Sequence, residues 1–279
     1  MNDVLSSLKR INWLAVISLW TFVLLLFSVV VFFTWQAADS LGRPALISGY
    51  SLFACVVFLG LFKVRKHLSM LPLVPARFWF SMHSMIGVLA VLLYFLHVDQ
   101  WWPDSGYVQL LAALMIAVSL TGMLGYLLEK IYPARLTQID SEILFEKIPE
   151  ACFQIREEVE KLLFEEIKNT GSDTLSRHYM ESINWYFQRP RFIWSHIAGD
   201  NKANFWLKQQ FHIVNRYLND DEKEYSQRLE KLASRKLHLD YQYAVQGLLK
   251  LWLLLHVPLS IMLLMMSVWH LLLVNIYSV

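Results

Sequence analysis

The sequence predicts an all-α membrane protein with five transmembrane helices, an N-terminal span beside a bundle of four, and a helical insertion on the cytoplasmic side. Three observations predict it. The chain has 279 residues and is 56% hydrophobic, above the roughly 45–50% of a soluble domain. Its apolar residues gather into five long runs, and its charges gather into the segments between them. One of those segments switches abruptly to charged and amphipathic sequence.

The five runs are Trp13 to Trp35, Ala45 to Phe62, Phe78 to Val98, Tyr107 to Leu128 and Gly247 to Ile276. About 20 helical residues cross about 30 Å of hydrocarbon, so the second run is a little short. Lys9 and Arg10 precede the first run, as in a secretory signal, but its apolar stretch exceeds the ~7–15 residues of such a region. The expectation is an uncleaved span.

Basic residues in short connections are retained on the cytoplasmic side. Lys9 and Arg10 lie before the first span, and Lys63, Arg65, Lys66 and Arg77 lie between the second and third. The alternate connections carry Arg43 with Asp39, Asp99 and Asp104. The expected N-terminus is therefore cytoplasmic and the C-terminus outside, as in a bacterial inner-membrane protein.

Residues 129–243 read as a helical cytoplasmic insertion between transmembrane helices 1–4 (1–128) and transmembrane helix 5 (244–279). Apolar residues recur at three- and four-residue intervals over Ile139–Lys168, Asn204–Leu218 and Asp221–Leu239. Gly171-Ser172-Asp173 and Gln188-Arg189-Pro190 read as breaks. No strand pattern, internal repeat or phosphate-cradling glycine loop is visible.

Several chemistries are excluded. A net charge of +2 gives no nucleic-acid footprint. The two cysteines, Cys55 and Cys152, form no Cys-x-x-Cys, which removes c-type haem attachment, thiolate iron–sulfur clusters and zinc ribbons.

Four of the nine histidines lie inside apolar spans, as His83 with His97 and His256 with His270, each pair fourteen positions apart. That spacing is about 21 Å of helix and, at ~100° per residue, about 1400°, within some 40° of whole turns. Each pair thus shares one helix face near opposite membrane surfaces. The third and fifth spans run the same way, so His83 meets His256 at the inner level and His97 meets His270 at the outer level. Two imidazoles facing across a gap are what a bis-histidyl iron porphyrin needs. The spacing and topology predict two haem b groups ligated by His83, His97, His256 and His270. One intramembrane histidine alone would as readily be a hydrogen-bonding or proton-relay residue; the repetition on two helices favours haem.

Gly87, one turn beyond His83, suits close approach of a porphyrin, although glycine also serves ordinary helix contacts. Gly122 and Gly125 carry the same ambiguity and lean toward packing. Arg77, Lys250 and Arg65 are placed to meet haem propionates, a position that cytoplasmic retention also explains. Pro258 is expected to kink its helix. Trp101, Trp102 and Trp269 read as an interfacial belt, His178, His196, His212 and His238 as ordinary residues, and Cys152 as a packing residue.

The segments "MHSMIGVLAVLLYFLH", with His83 and His97, and "HVPLSIMLLMMSVWH", with His256 and His270, resemble the transmembrane domain of the ferric reductase and NADPH oxidase group. The resemblance covers roughly residues 45–276 without the insertion and rests on the four histidines and their order. It implies an inner and an outer b haem on parallel third and fifth spans, so that the last four spans form a haem-binding bundle. Reductases of that group continue into a flavin- and nicotinamide-binding domain, whereas this sequence runs nine residues past His270. No Gly-x-Gly-x-x-Gly replaces that domain. The expectation is an electron-transfer subunit of an oxidoreductase complex, working between a quinol or cytoplasmic partner and an extracytoplasmic partner. Asp99 and Gln100 could bond a quinone, and a solvated loop explains them equally. The alternatives are a terminal reductase of an acceptor such as ferric iron, and a proton-relaying transporter without haem.

Overall fold

A computed structural model describes residues 13–61, 76–98, 102–132 and 143–277. Lys9, Arg10, Lys63, Arg65, Lys66, Asp99, Gln100, Trp101 and the side chain of Arg77 lie outside the described residues. The described chain is helical, with no strand in it. It divides into two compact units, one of Met1–Lys130 with Trp252–Val279 and the other Ile131–Leu251.

The first unit holds α1 (Trp13–Asp39), α2 (Pro44–Gly60), α3 (Ala76–His97), α4 (Gly106–Ile131) and the C-terminal part of α10 (Asp220–Tyr277). Among the described residues four helices are long and apolar enough to cross a membrane: Ile17–Asp39, Phe78–His97, Gly106–Ile131 and a stretch of Asp220–Tyr277. The expected fifth, α2, has 17 residues, about 26 Å of rise against about 30 Å of hydrocarbon. Pro44 in its first turn sets its start, since the missing N–H is one that a helix leaves unpaired there anyway.

The outward faces of these helices are apolar: Phe32, Trp35, Leu254 and Met265 are each more than 60% exposed. In water such a surface would be costly, and in lipid it is solvated. Inside, α3 packs closely on α1 and α2. Met85, Leu89 and Leu93 of α3 bury against Val23 of α1, while Ala90 and Tyr94 join Val56, Ala112, Met115 and Leu263 from α2, α4 and α10. Small residues at Ala90 and Ala112 allow the close approach that membrane helices use in place of a hydrophobic drive.

The second unit is built from α5 (Ile148–Thr170), α6 (Thr174–His178), a π-turn (Tyr179–Ile183), α7 (Asn184–Phe187), α8 (Ile193–Ala198), α9 (Lys202–Val214) and α10 as far as Leu251. Ile148, Cys152, Ile155, Val159 and Leu162 form one stripe of α5 and bury against Leu175, Phe187, Phe211 and Leu229. Helix α5 ends where Gly171 turns left-handed (φ 69°), its N–H returning to Ile167 O, a conformation glycine adopts without Cβ strain. The breaks expected at 171–173 and 188–190 are present.

Three helix boundaries differ from expectation, one of them the end of the Asn204–Leu218 pattern, which stops at Val214 in α9 (Lys202–Val214). The Ile139–Lys168 pattern becomes a 3₁₀ turn at Phe145–Lys147 followed by α5, because Pro149 suits a first helical turn; 139–142 lie outside the described residues. Asp221–Leu239 and the fifth apolar run form a single 58-residue helix, α10, with Pro258 inside it. No capping signal separates them, and Gly247 lies against Phe145, 3.5 Å from where a Cβ would stand.

Candidate functional site

Helix α3 positions His83 and His97, and α10 positions His256 and His270, each pair fourteen residues apart. His97 and His270 line the same cavity of about 240 Å³. Its wall comes from four helices, with Gly49 and Val56 of α2, Tyr94 of α3, Leu111 and Met115 of α4, and Leu263 of α10. Tyr50, also on the wall, is 45% exposed, so the cavity opens at its rim. At the other end of the two helices, His83 and His256 are close enough to interact electrostatically. His97 and His270 thus share a cavity wall, and His83 lies within electrostatic range of His256.

Each level has a hydroxyl on one imidazole. Ser48 Oγ lies 3.1 Å from His97 Nδ1, and Thr121 Oγ1 lies 2.9 Å from His256 Nδ1. Gly49 lets the His97 ring lie against α2: a Cβ there would stand 2.9 Å from Cε1. The His256 ring is stacked on Trp252 at 5.3 Å and 17°, and Trp252 donates Nε1–H to Thr121 O at 2.7 Å. Gly125 makes room for that indole, and Gly122 meets His256 at an ordinary 3.5 Å; both glycines serve packing. His270 lies beside Tyr107, ring centres 6.2 Å apart, and Tyr107 donates its O–H to Met266 O at 2.9 Å. Ser48, Gly49, Thr121, Trp252 and Tyr107 escape sequence reasoning because each residue type is common in membrane helices.

Gly87 has open space where a side chain would project, with nothing within 4 Å of a built Cβ. The ammonium of Lys250 is paired with Glu146 and lies 4.3 Å from the centre of the Phe145 ring, so its charge is engaged within the second unit. Trp102 and Trp269 are 43% and 54% exposed.

Lys236 and Asp240, one turn apart on α10, form a fully buried ion pair at 2.6 Å, and Lys236 also donates to Arg189 O at 3.0 Å. Burial raises the Asp240 carboxyl to about 6 against the opposing pull of Lys236. Burial, then the charge of Lys236, lowers His196 to about 4. Burial pushes the Cys152 thiol up to about 11, leaving it a packing residue. Among the described residues no group of three or more His, Cys, Asp or Glu side chains could hold a metal ion. A bis-histidyl haem asks for two protein ligands, and a nitrogen-lined apolar cavity between parallel helices fits that donor set. No family model, curated protein or solved structure matches this chain.

Proposed function

We propose that the chain is a di-haem b-type cytochrome subunit of a membrane oxidoreductase complex, resembling the ferric reductase and NADPH oxidase transmembrane domain. His97 and His270 hold one haem and His83 and His256 the other. The observation that carries this reading is the wall shared by His97 and His270 in an apolar cavity, repeated at the opposite end by the proximity of His83 and His256. When bound, two such haems supply one-electron carriers at two depths, about 21 Å apart along the helices. The chain's own residues supply the ligands and hold the rings, and Leu111, Met115 and Leu263 line the cavity with apolar side chains.

In this reading α2 is the remaining span, the N-terminus and the Ile131–Leu251 unit are cytoplasmic, and the C-terminus is outside, in a bacterial inner membrane. That unit docks a redox partner, and a quinol or cytoplasmic donor exchanges electrons with an extracytoplasmic partner. The test is a reduced-minus-oxidised spectrum with pyridine haemochrome quantitation of the purified chain. About two b haems per chain are expected, with His97→Ala and His256→Ala each losing one. Full haem content in either variant contradicts the assignment.

A further inference from the structure

We infer that Ser48 and Thr121 are positioning residues: each accepts a hydrogen bond from the Nδ1–H of a histidine, fixing the tautomer that carries its lone pair on Nε2, the atom that would bind iron. This rests on the di-haem reading. A hydroxyl has one proton to give, and Thr121 gives it to its own helix, to Ala117 O at 2.8 Å or Val118 O at 3.0 Å. Toward His256 Nδ1, 2.9 Å away, its oxygen can then only accept. With that assignment Nδ1 carries the proton, and in a neutral imidazole Nε2 is left with its lone pair. Ser48 has the same kinds of partner: its Oγ, almost fully buried, faces Pro44 O and Ala45 O at 3.3 Å each and His97 Nδ1 at 3.1 Å, and the Thr121 assignment is extended to it.

The two hydroxyls come from α2 and α4, which carry none of the four histidines, and each serves a different histidine-bearing helix. Ring orientation is fixed as well as tautomer, by Trp252 stacked on His256 and by the Gly49 backbone against His97. A hydrogen bond from the far side of a ligating imidazole also makes it a stronger donor, which favours the higher oxidation state of the metal and lowers its potential.

The test uses purified full-length protein with Thr121→Val, Ser48→Ala and the conservative Thr121→Ser and Ser48→Thr, each titrated optically for two midpoint potentials. His97→Ala and His256→Ala identify which potential belongs to which level. Thr121→Val is expected to shift the His83/His256 haem positive, leave the other unmoved and weaken haem retention at that level by about 10–100-fold. Ser48→Ala should do the same for the His97/His270 haem, and the conservative variants should restore both. Haem retained with both potentials unmoved overturns the positioning role and leaves the di-haem reading standing. Equal losses in the Val or Ala variant and its hydroxyl-bearing counterpart overturn it too, because side-chain shape would then be the cause. Wild-type protein without haem absorbance overturns the reading beneath it.

Discussion

Gly125 gives its place to Trp252: a Cβ there would stand 2.0 Å from Cζ2 of that indole. Gly125→Ala must therefore push the ring away, breaking its bond to Thr121 O and its stack on His256. Overpacking of this kind costs about 1–3 kcal/mol, so a lower unfolding temperature in detergent is expected. Gly87→Ala, which meets nothing within 4 Å, should not lower the unfolding temperature of haem-free protein. Glu166 makes a pH prediction. Its side chain is fully buried, neither oxygen finds a hydrogen-bond partner among the described residues, and burial, then Glu222 and Asp173, raises its carboxyl from 4.5 to about 7. Between those values the folded unit keeps a proton that the unfolded chain has lost, so stability falls as pH rises through that window. Glu166→Gln should raise the urea midpoint of the full chain more at about pH 8 than at about pH 5; equal shifts at both would contradict it. The four histidines were legible because they repeat at one spacing. Ser48 and Thr121 were not, because an isolated hydroxyl in an apolar helix says nothing until the facing helix is known.

Helix α10 shows what periodicity can and cannot locate. Its apolar run from Gly247 and its amphipathic run from Asp221 are both plain in the sequence, yet the helix continues through their junction, and composition changes where secondary structure does not. Its start is clear: Asn219 N–H donates to Glu222 Oε2 at 2.7 Å, half of a capping box. Helix α2 was the converse case, an apolar run expected to span that has 17 helical residues. Within α10 the buried Lys236–Asp240 pair could not be read, since Lys and Asp one turn apart usually form a solvated surface pair. Breaking such a pair from one side leaves a buried charge unmatched and costs about 3–5 kcal/mol, while replacing both partners by apolar groups is often neutral. Lys236→Met should therefore lower the denaturation midpoint strongly, and Lys236→Met with Asp240→Leu should recover most of the loss. A double variant no more stable than the single one would show that packing, not the unmatched carboxylate, sets the cost.

At the scale of the whole molecule, composition separates an apolar-faced unit from a charged one, and both are helical. The proposed pairing of histidines across α3 and α10 is the one the sequence allows, because parallel helices with equal spacings permit only one matching of levels. The clamps around each ring could not, since they come from α2 and α4 and depend on which helices are neighbours. Partner choice within the pairs is where the account is most exposed, and haem counts in double variants test it most directly. If His97 and His270 share one haem, the His97→Ala/His270→Ala protein should keep one haem, as each single variant does, while His97→Ala/His256→Ala should keep none. A haem retained in the second double variant, or both lost in the first, would contradict the pairing.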